Sequence, residues 1–113
     1  MSENTSIVYI YGFSTMIESR LKNLFKIIEN QIKQNIQIHF VFIHDGVIGT
    51  SKKSKATSLM QRLLVLPLTA YSMIPDLKAR GIDTDDLRKR ILGIDYEDLV
   101  DILVNNPKIV SWM

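Results

Sequence analysis

The sequence predicts a single three-layer α/β domain, with a mostly parallel five-stranded sheet and helices on both faces. Short β-branched and aromatic runs alternate with segments of helical periodicity, the pattern of a parallel sheet joined by crossover helices. The first run, Ile7-Val8-Tyr9-Ile10-Tyr11, is continuously apolar, as suits a strand buried on both faces. The 113 residues fit one domain with one real core, and they contain no repeat, low-complexity tract or linker.

Gly12 breaks the first strand. Thr15-Met16-Ile17-Glu18 reads as a capping box, in which hydroxyl and carboxylate satisfy free N–H groups at a helix start. Ile17, Leu21, Leu24, Phe25 and Ile28 follow at helical spacing, predicting a helix from about Thr15 to Lys33. Ile36–Ile43 is the second strand, ended by the turn signal His44-Asp45-Gly46. Gly49–Lys55 is a polar, basic loop, and Ser54–Leu64 a helix with Leu59 and Leu63 inward. Pro67 marks a turn before the third strand, Leu68–Met73.

Pro75–Gly81 is a short helix, with Pro in its first turn and Gly just past its end. Asp83–Arg90 is a second short helix, capped by Asp83 or Thr84. Ile91–Ile94 is a strand. Asp95 caps the helix Tyr96–Asn105, whose apolar stripe is Leu99, Val100, Ile102 and Leu103. Pro107 ends that helix, and Lys108–Met113 is the last strand. Right-handed crossovers arrange these elements in a flavodoxin-like layout. Ligands of such sheets sit beyond the carboxyl ends of the strands, which points to Gly12–Thr15, His44–Ser51 and Ser72–Pro75.

Composition narrows the function. The chain is 46% hydrophobic and 23% charged, ordinary for a globular protein and unlike a disordered one. Its net charge of +2 is too balanced to demand nucleic acid or an anionic membrane as partner, so direct nucleic-acid binding is not expected. Cysteine is absent, which excludes a disulfide, a thiolate nucleophile, a persulfide or a Cys-ligated metal in this chain. The start, Met1–Ser6, is polar, and Ile7–Tyr11 is too short for a signal-peptide core. No stretch approaches the ~20 apolar residues of a membrane span. The expected location is the cytoplasm, without membrane attachment.

Few residues suggest chemistry. His39 and His44 differ by five positions, so in an extended strand they leave opposite faces and cannot share a metal. His39 reads as a half-buried strand residue. His44 sits at a strand's carboxyl end beside Asp45 and reads either as part of a binding cleft or as a turn residue. Asp45-Gly46 has the turn as its simpler reading. Ser51-Lys52-Lys53-Ser54-Lys55 offers cations for an anion, or is a solvated loop; no aromatic interleaves with it to stack on a base. Asp83, Asp85 and Asp86 invite a magnesium reading, but acidic residues at a helix start explain them without metal. No nucleophile with its base can be named, and neither metal nor cofactor is expected.

Four segments in register carry a family resemblance. They are His44-Asp45-Gly46-Val47 after a hydrophobic strand; Ala70 to Gly81, reading AYSMIPDLKARG; Ile94 to Ile102, reading IDYEDLVDI; and Ile109-Val110-Ser111-Trp112. Together they resemble the DsrH/TusB family of the DsrE-like superfamily over nearly the whole chain. The resemblance implies a flavodoxin-like domain that assembles with DsrE-like and DsrF-like subunits, in complexes that pass sulfur as a cysteine persulfide in tRNA thiolation or sulfur oxidation. Some members carry a cysteine early in the first helix, in a stretch ESCL. The matching stretch here is Glu18-Ser19-Arg20-Leu21, with Arg20 at the cysteine position. His44 stands where the family more often has Gln or Glu.

These readings give a leading expectation: a non-catalytic, cysteine-free subunit of a sulfur-relay complex whose partners supply the reactive cysteine. The alternative is a stand-alone homo-oligomer binding a small anion near Arg20, His44, Asp45, Gly46 and Lys52. A small hydrolase or transferase ranks last. Met16, Tyr71, Met73, Ile74, Trp112 and Met113 lie at element ends and are the expected interface residues, since aromatics and Met are enriched where chains meet.

Overall fold

The computed structural model describes residues 5–113; the polar start at Met1–Asn4 lies outside the described residues. Five strands form one sheet: β1 (Ser6–Tyr11), β2 (Gln37–Phe42), β3 (Thr69–Met73), β4 (Ile91–Ile94) and β5 (Lys108–Trp112). Four α-helices connect them: α1 (Glu18–Lys33), α2 (Ser58–Leu64), α3 (Ile74–Ala79) and α4 (Tyr96–Val104). The strand order is β4-β3-β2-β1-β5, and every pairing is parallel.

This order dictates the layers. From β1 to β4 the chain steps always in one direction across the sheet, so right-handed crossovers put α1, α2 and α3 on one face. The step from β4 to β5 runs back across the whole sheet, which sends α4 to the other face. The cores agree. On the first face Leu21, Leu24, Phe25 and Ile28 of α1, Leu59, Met60 and Leu63 of α2, and Leu77 of α3 close over Tyr9, Tyr11, Phe40 and Phe42. On the second, α4 brings Leu99, Ile102 and Leu103 onto Val8, Val41, Ile43, Met73 and Ile94. The three-layer α/β fold is therefore the one that alternation in the sequence predicts.

Several local expectations are corrected. The capping box at Thr15–Glu18 does not form: α1 begins at Glu18 after Ile17, with no side-chain cap. Thr15 is instead buried against Gly49, where an added methyl would overlap its hydroxyl. Glu18 reaches across to accept from the Leu59 N–H at 3.4 Å. Helix α2 starts at Ser58 rather than Ser54, because the Thr57 hydroxyl accepts from the Met60 N–H at 3.2 Å and sets the start there. The stretch after β2 is a 3₁₀ helix, His44–Thr50, rather than a simple turn.

Asp83–Arg90 is not a helix. Only Thr84–Asp86 makes a 3₁₀ turn, capped by Asp83. Tertiary pairing overrides the helical signal: Lys52 N–H donates to the Asp86 carbonyl at 2.7 Å and Arg88 N–H to the Thr50 carbonyl at 2.9 Å. The Arg88 guanidinium adds bonds to the carbonyls of Gly49 and Ser54. The basic run is thus pinned along one side, with Lys53 paired to Asp86 at 3.2 Å. Two other signals hold. Pro75 sits in the first turn of α3, with Gly81 at φ +68° beyond its end. Asp95 and Asp98 complete a capping box on α4. On that helix Val100 is exposed, not part of the inward stripe.

His39 lies on the α4 side of β2, half-buried, with Nδ1 3.1 Å from the Tyr71 hydroxyl and the two rings nearly parallel. Trp112 pairs in register with Tyr11 and packs, partly buried, against the core of the α1 side.

Two outcomes follow. Phe42 is fully buried, with its ring 4.8 Å from that of Phe40, so Phe42→Ala should cost about 3–5 kcal/mol in urea unfolding; a loss below about 1 kcal/mol would contradict this packing. Burial holds the His39 imidazole below its ordinary 6.5, so folding favours the neutral ring. That contribution is present above 6.5 and is lost as pH falls through 6.5 toward the depressed folded value. The urea midpoint should fall as pH drops from about 7.5 to about 5, and His39→Gln should flatten that slope. Identical slopes for the two proteins would refute the assignment.

Candidate functional site

At the carboxyl end of the sheet the three expected loops do meet. Ile43 N–H donates to the Tyr11 carbonyl and Gly12 N–H to the Trp112 carbonyl, holding the ends of β2, β1 and β5 side by side. An added methyl on Gly12 would stand 3.3 Å from His44 Cδ2 and 3.5 Å from Met113 Cγ. Gly46 is fixed more tightly still. Its N–H bonds the Ile43 carbonyl at 2.9 Å, and a Cβ there would lie 2.7 Å from the backbone oxygen of Tyr11. Only glycine lets the 3₁₀ segment lie this close to β1.

His44 itself adopts φ +50°, in the left-handed region that a non-glycine residue seldom occupies. Its backbone N–H is held by the Asp76 carboxylate at 2.8 Å, from the first turn of α3. That conformation removes His44 from the strand's alternation, so the opposite-face argument from its spacing to His39 does not apply. Asp45 turns toward α3, where Arg80 donates to its carboxylate through Nε and a second guanidinium nitrogen at 3.3 and 3.2 Å. Arg80 also bonds the Asp76 carbonyl, so α3 and the His44–Thr50 segment form one unit. Beneath them the buried Thr50 hydroxyl bonds the Val47 carbonyl and the Ser72 hydroxyl.

Beside this unit is a cleft of about 190 Å³ between the strand ends and the start of α4. Ile10, Ile43, Met73 and Leu99 give it apolar walls; Asp76 flanks it, and His44, Tyr96 and Met113 are its exposed members. The cleft suits a small apolar group with one polar contact better than it suits a free anion. Among the described residues, His44 makes its hydrogen bond through the backbone and the His39 ring bonds only Tyr71. Neither is linked to a hydroxyl of Ser72 or Thr50, which bond each other. No group of three or more metal-ligating side chains gathers among the described residues.

The remaining candidates are dispersed. Arg20, on the first turn of α1, places its guanidinium 4.2 Å from the centre of the Phe13 ring, a cation–π contact outside the cleft. Below it lies Tyr11, fully buried, whose hydroxyl has no hydrogen-bond partner among the described residues. Burial raises the Tyr11 phenol and the Arg20 charge opposes that rise. Lys52 is exposed and tied through its backbone to Asp86. Met73 is buried and lines the cleft, Tyr71 is half-buried beside His39, and Met16 is exposed in the β1–α1 loop. Asp76, Arg80 and Tyr96 belong to the segments that carry the family resemblance but are not among the expected site residues. The expected loop Ser72–Pro75 stops one residue short of Asp76, and the Pro-Asp pair at a helix start was the available signal.

Comparison with known proteins places this geometry. The chain matches the family described as DsrH like protein over residues 14–109. It is 31% identical over 72 residues to Protein TusB of Pectobacterium parmentieri, covering 64% of this chain and 72% of that one. Protein TusB of Erwinia tasmaniensis is 29% identical over the same shares. Among solved structures, the ychN protein from E. coli superposes with a TM-score of 0.78 at 16% identity, over 96% of this chain and 99% of that one. A protein of unknown function from Methanobacterium thermoautotrophicum gives 0.75 at 18% identity, over the same shares. At these identities the two structures speak for the fold; the family match speaks for descent. No helix among the described residues is long and apolar enough to cross a membrane. The chain belongs to the DsrH family.

Proposed function

We propose that this chain is a non-catalytic subunit of a cytoplasmic sulfur-relay complex, in tRNA thiolation or sulfur oxidation, and that DsrE-like and DsrF-like partner subunits hold the sulfur. One observation carries the reading: a member of the DsrH family, similar to proteins named TusB, has no cysteine at all. In a relay a thiolate attacks the outer sulfur of a persulfide, forms a new S–S bond and releases the donor as thiolate. Without a thiol this chain can neither accept nor pass the sulfur. Arg20, at the position where the family resemblance implies a cysteine in some members, packs on Phe13.

The role left to such a subunit is to shape the complex. The reading as an anion-binding homo-oligomer draws less support, since Arg20 and Lys52 stand outside the cleft that His44 borders.

Incubated alone with a persulfide donor, the purified chain should gain no protein-bound sulfane sulfur by cyanolysis or intact mass. Co-expressed with the DsrE-like subunit of the same genome, it should co-purify, and the sulfur should appear on the partner's cysteine. Stable sulfane sulfur on this chain, or failure to join either partner, would overturn the proposal.

A further inference from the structure

Helix α4 is apolar over more of its surface than it buries. Of its nine residues, Leu99, Ile102 and Leu103 face the sheet and are partly buried, yet none of the nine is fully buried. Tyr96, Val100 and Val104 recur at every fourth position in a strip beside Leu99 and Leu103, from the cleft outward, and are 62%, 56% and 76% exposed. Together the two sets make one apolar arc of about 200° around the helix, wider than the single stripe that a sheet can cover. Among the described residues nothing packs over its exposed part. Nine residues make a helix of about 13.5 Å, on a sheet whose five strands span about 19 Å. Leu92 of β4 and Ile109 of β5, on the same side of the sheet, remain exposed, as does Met113. Leu92 and Ile109 belong to the two edge strands, on either side of α4, so the continuous apolar strip is Tyr96, Val100 and Val104, with Met113 beside Tyr96 at the cleft. On the opposite face the exposed apolar residues are divided among separate segments: Met16 and Ile17 in a loop, Ile27 on α1, Ile48 in the 3₁₀ helix and Val65 after α2.

Charge selects the occupant. From Leu92 to Pro107 the chain carries Asp95, Glu97, Asp98 and Asp101 and no Lys or Arg, a net −4 in a protein of net +2. The other residues therefore sum to +6, and the charged side chains of α4 itself are carboxylates alone. Glu97 and Asp101 follow Tyr96 and Val100 by one position and so flank the strip on one side. If two copies met through antiparallel α4 helices, the two-fold axis would lie in the interface and keep that flank on the same side of both, setting carboxylate against carboxylate. A parallel meeting would lay the same carboxylates over Leu99 and Leu103 and desolvate them without a counter-charge. We infer that the outer face of α4 docks a different protein subunit, one whose contact surface is apolar and framed by Lys and Arg. This rests on the relay-complex reading and names the face and the partner chemistry within it.

The test uses the full chain, co-expressed with the DsrE-like and DsrF-like subunits of the same genome. Val100→Glu and Asp101→Lys sit on exposed positions, so their thermal melts and circular dichroism should match the wild type. Co-purification and native mass should show wild type retained in the complex and Val100→Glu bound at least about tenfold more weakly. Asp101→Lys should also bind more weakly, and the wild-type complex should loosen as salt rises. If the wild type joins the complex and both variants join it equally well, the α4 face is not the docking surface, while the relay reading stands. If the wild type joins neither subunit, the relay reading falls and takes this inference with it. If the isolated chain sediments as a dimer that Val100→Glu dissolves, the occupant is a second copy and the assignment of a basic-rimmed partner is wrong.

Discussion

Handedness governs this molecule. Three successive crossovers in one direction commit three helices to one face, and the single return crossover leaves one helix for the other. Burial follows from that count. The first face holds the large cluster around Phe40 and Phe42, while the second holds five buried side chains under α4. The same reversal makes β1 the strand on which the chain's two ends meet, since β2 pairs on one side of it and β5 on the other. The cleft beside His44 opens at the carboxyl ends of β1, β2 and β3, against the start of α4, the end of a parallel sheet where ligands bind.

The loops at that crevice are held by backbone geometry more than by charge. Gly46 fits because it lacks a side chain, and its closeness to the Tyr11 carbonyl forces the next residues into a tight 3₁₀ path. His44 adopts its left-handed backbone at the entry to that path, with Asp76 bonded to its N–H. From Thr50 and Lys52 the path is then tied to the segment Asp86–Arg88, which is how a polar, lysine-rich stretch comes to be ordered. The Asp45–Arg80 pair is solvent-facing and adds little stability by itself; it fixes direction, turning the Asp45 carboxylate toward α3.

The strands and the longer helices were legible in the sequence because each rests on a local pattern. Ile7–Tyr11 could only be a buried strand, and the Leu21–Ile28 stripe only an amphipathic helix. What was misread depends on partners far along the chain. Thr15 carries a capping signature, but Gly49 claims its place. Asp83–Arg90 has the acidic start of a helix, but Thr50 and Lys52 compete for its backbone. Val100 fits the apolar period of α4, but a short helix over a parallel sheet can turn only one side inward. The cleft was visible as a set of loops and not as a set of residues, since Ile10, Met73 and Leu99 come from three elements whose adjacency only the topology decides.

The position of β5 bears on how the chain is made. Its residues pair with β1 across about a hundred positions, Ile7 beside Lys108 and Tyr11 beside Trp112. During synthesis β1, β2, β3 and β4 can therefore come together with their helices while one edge of β1, rich in Ile, Val and Tyr, stays unpaired until β5 has left the ribosome. An open hydrophobic edge is a template for another nascent chain as much as for its own. Closing it late makes the growing polypeptide dependent on timing: a pause before Lys108 leaves a four-stranded sheet with β1 as an open edge, exposed to chaperones and to aggregation alike.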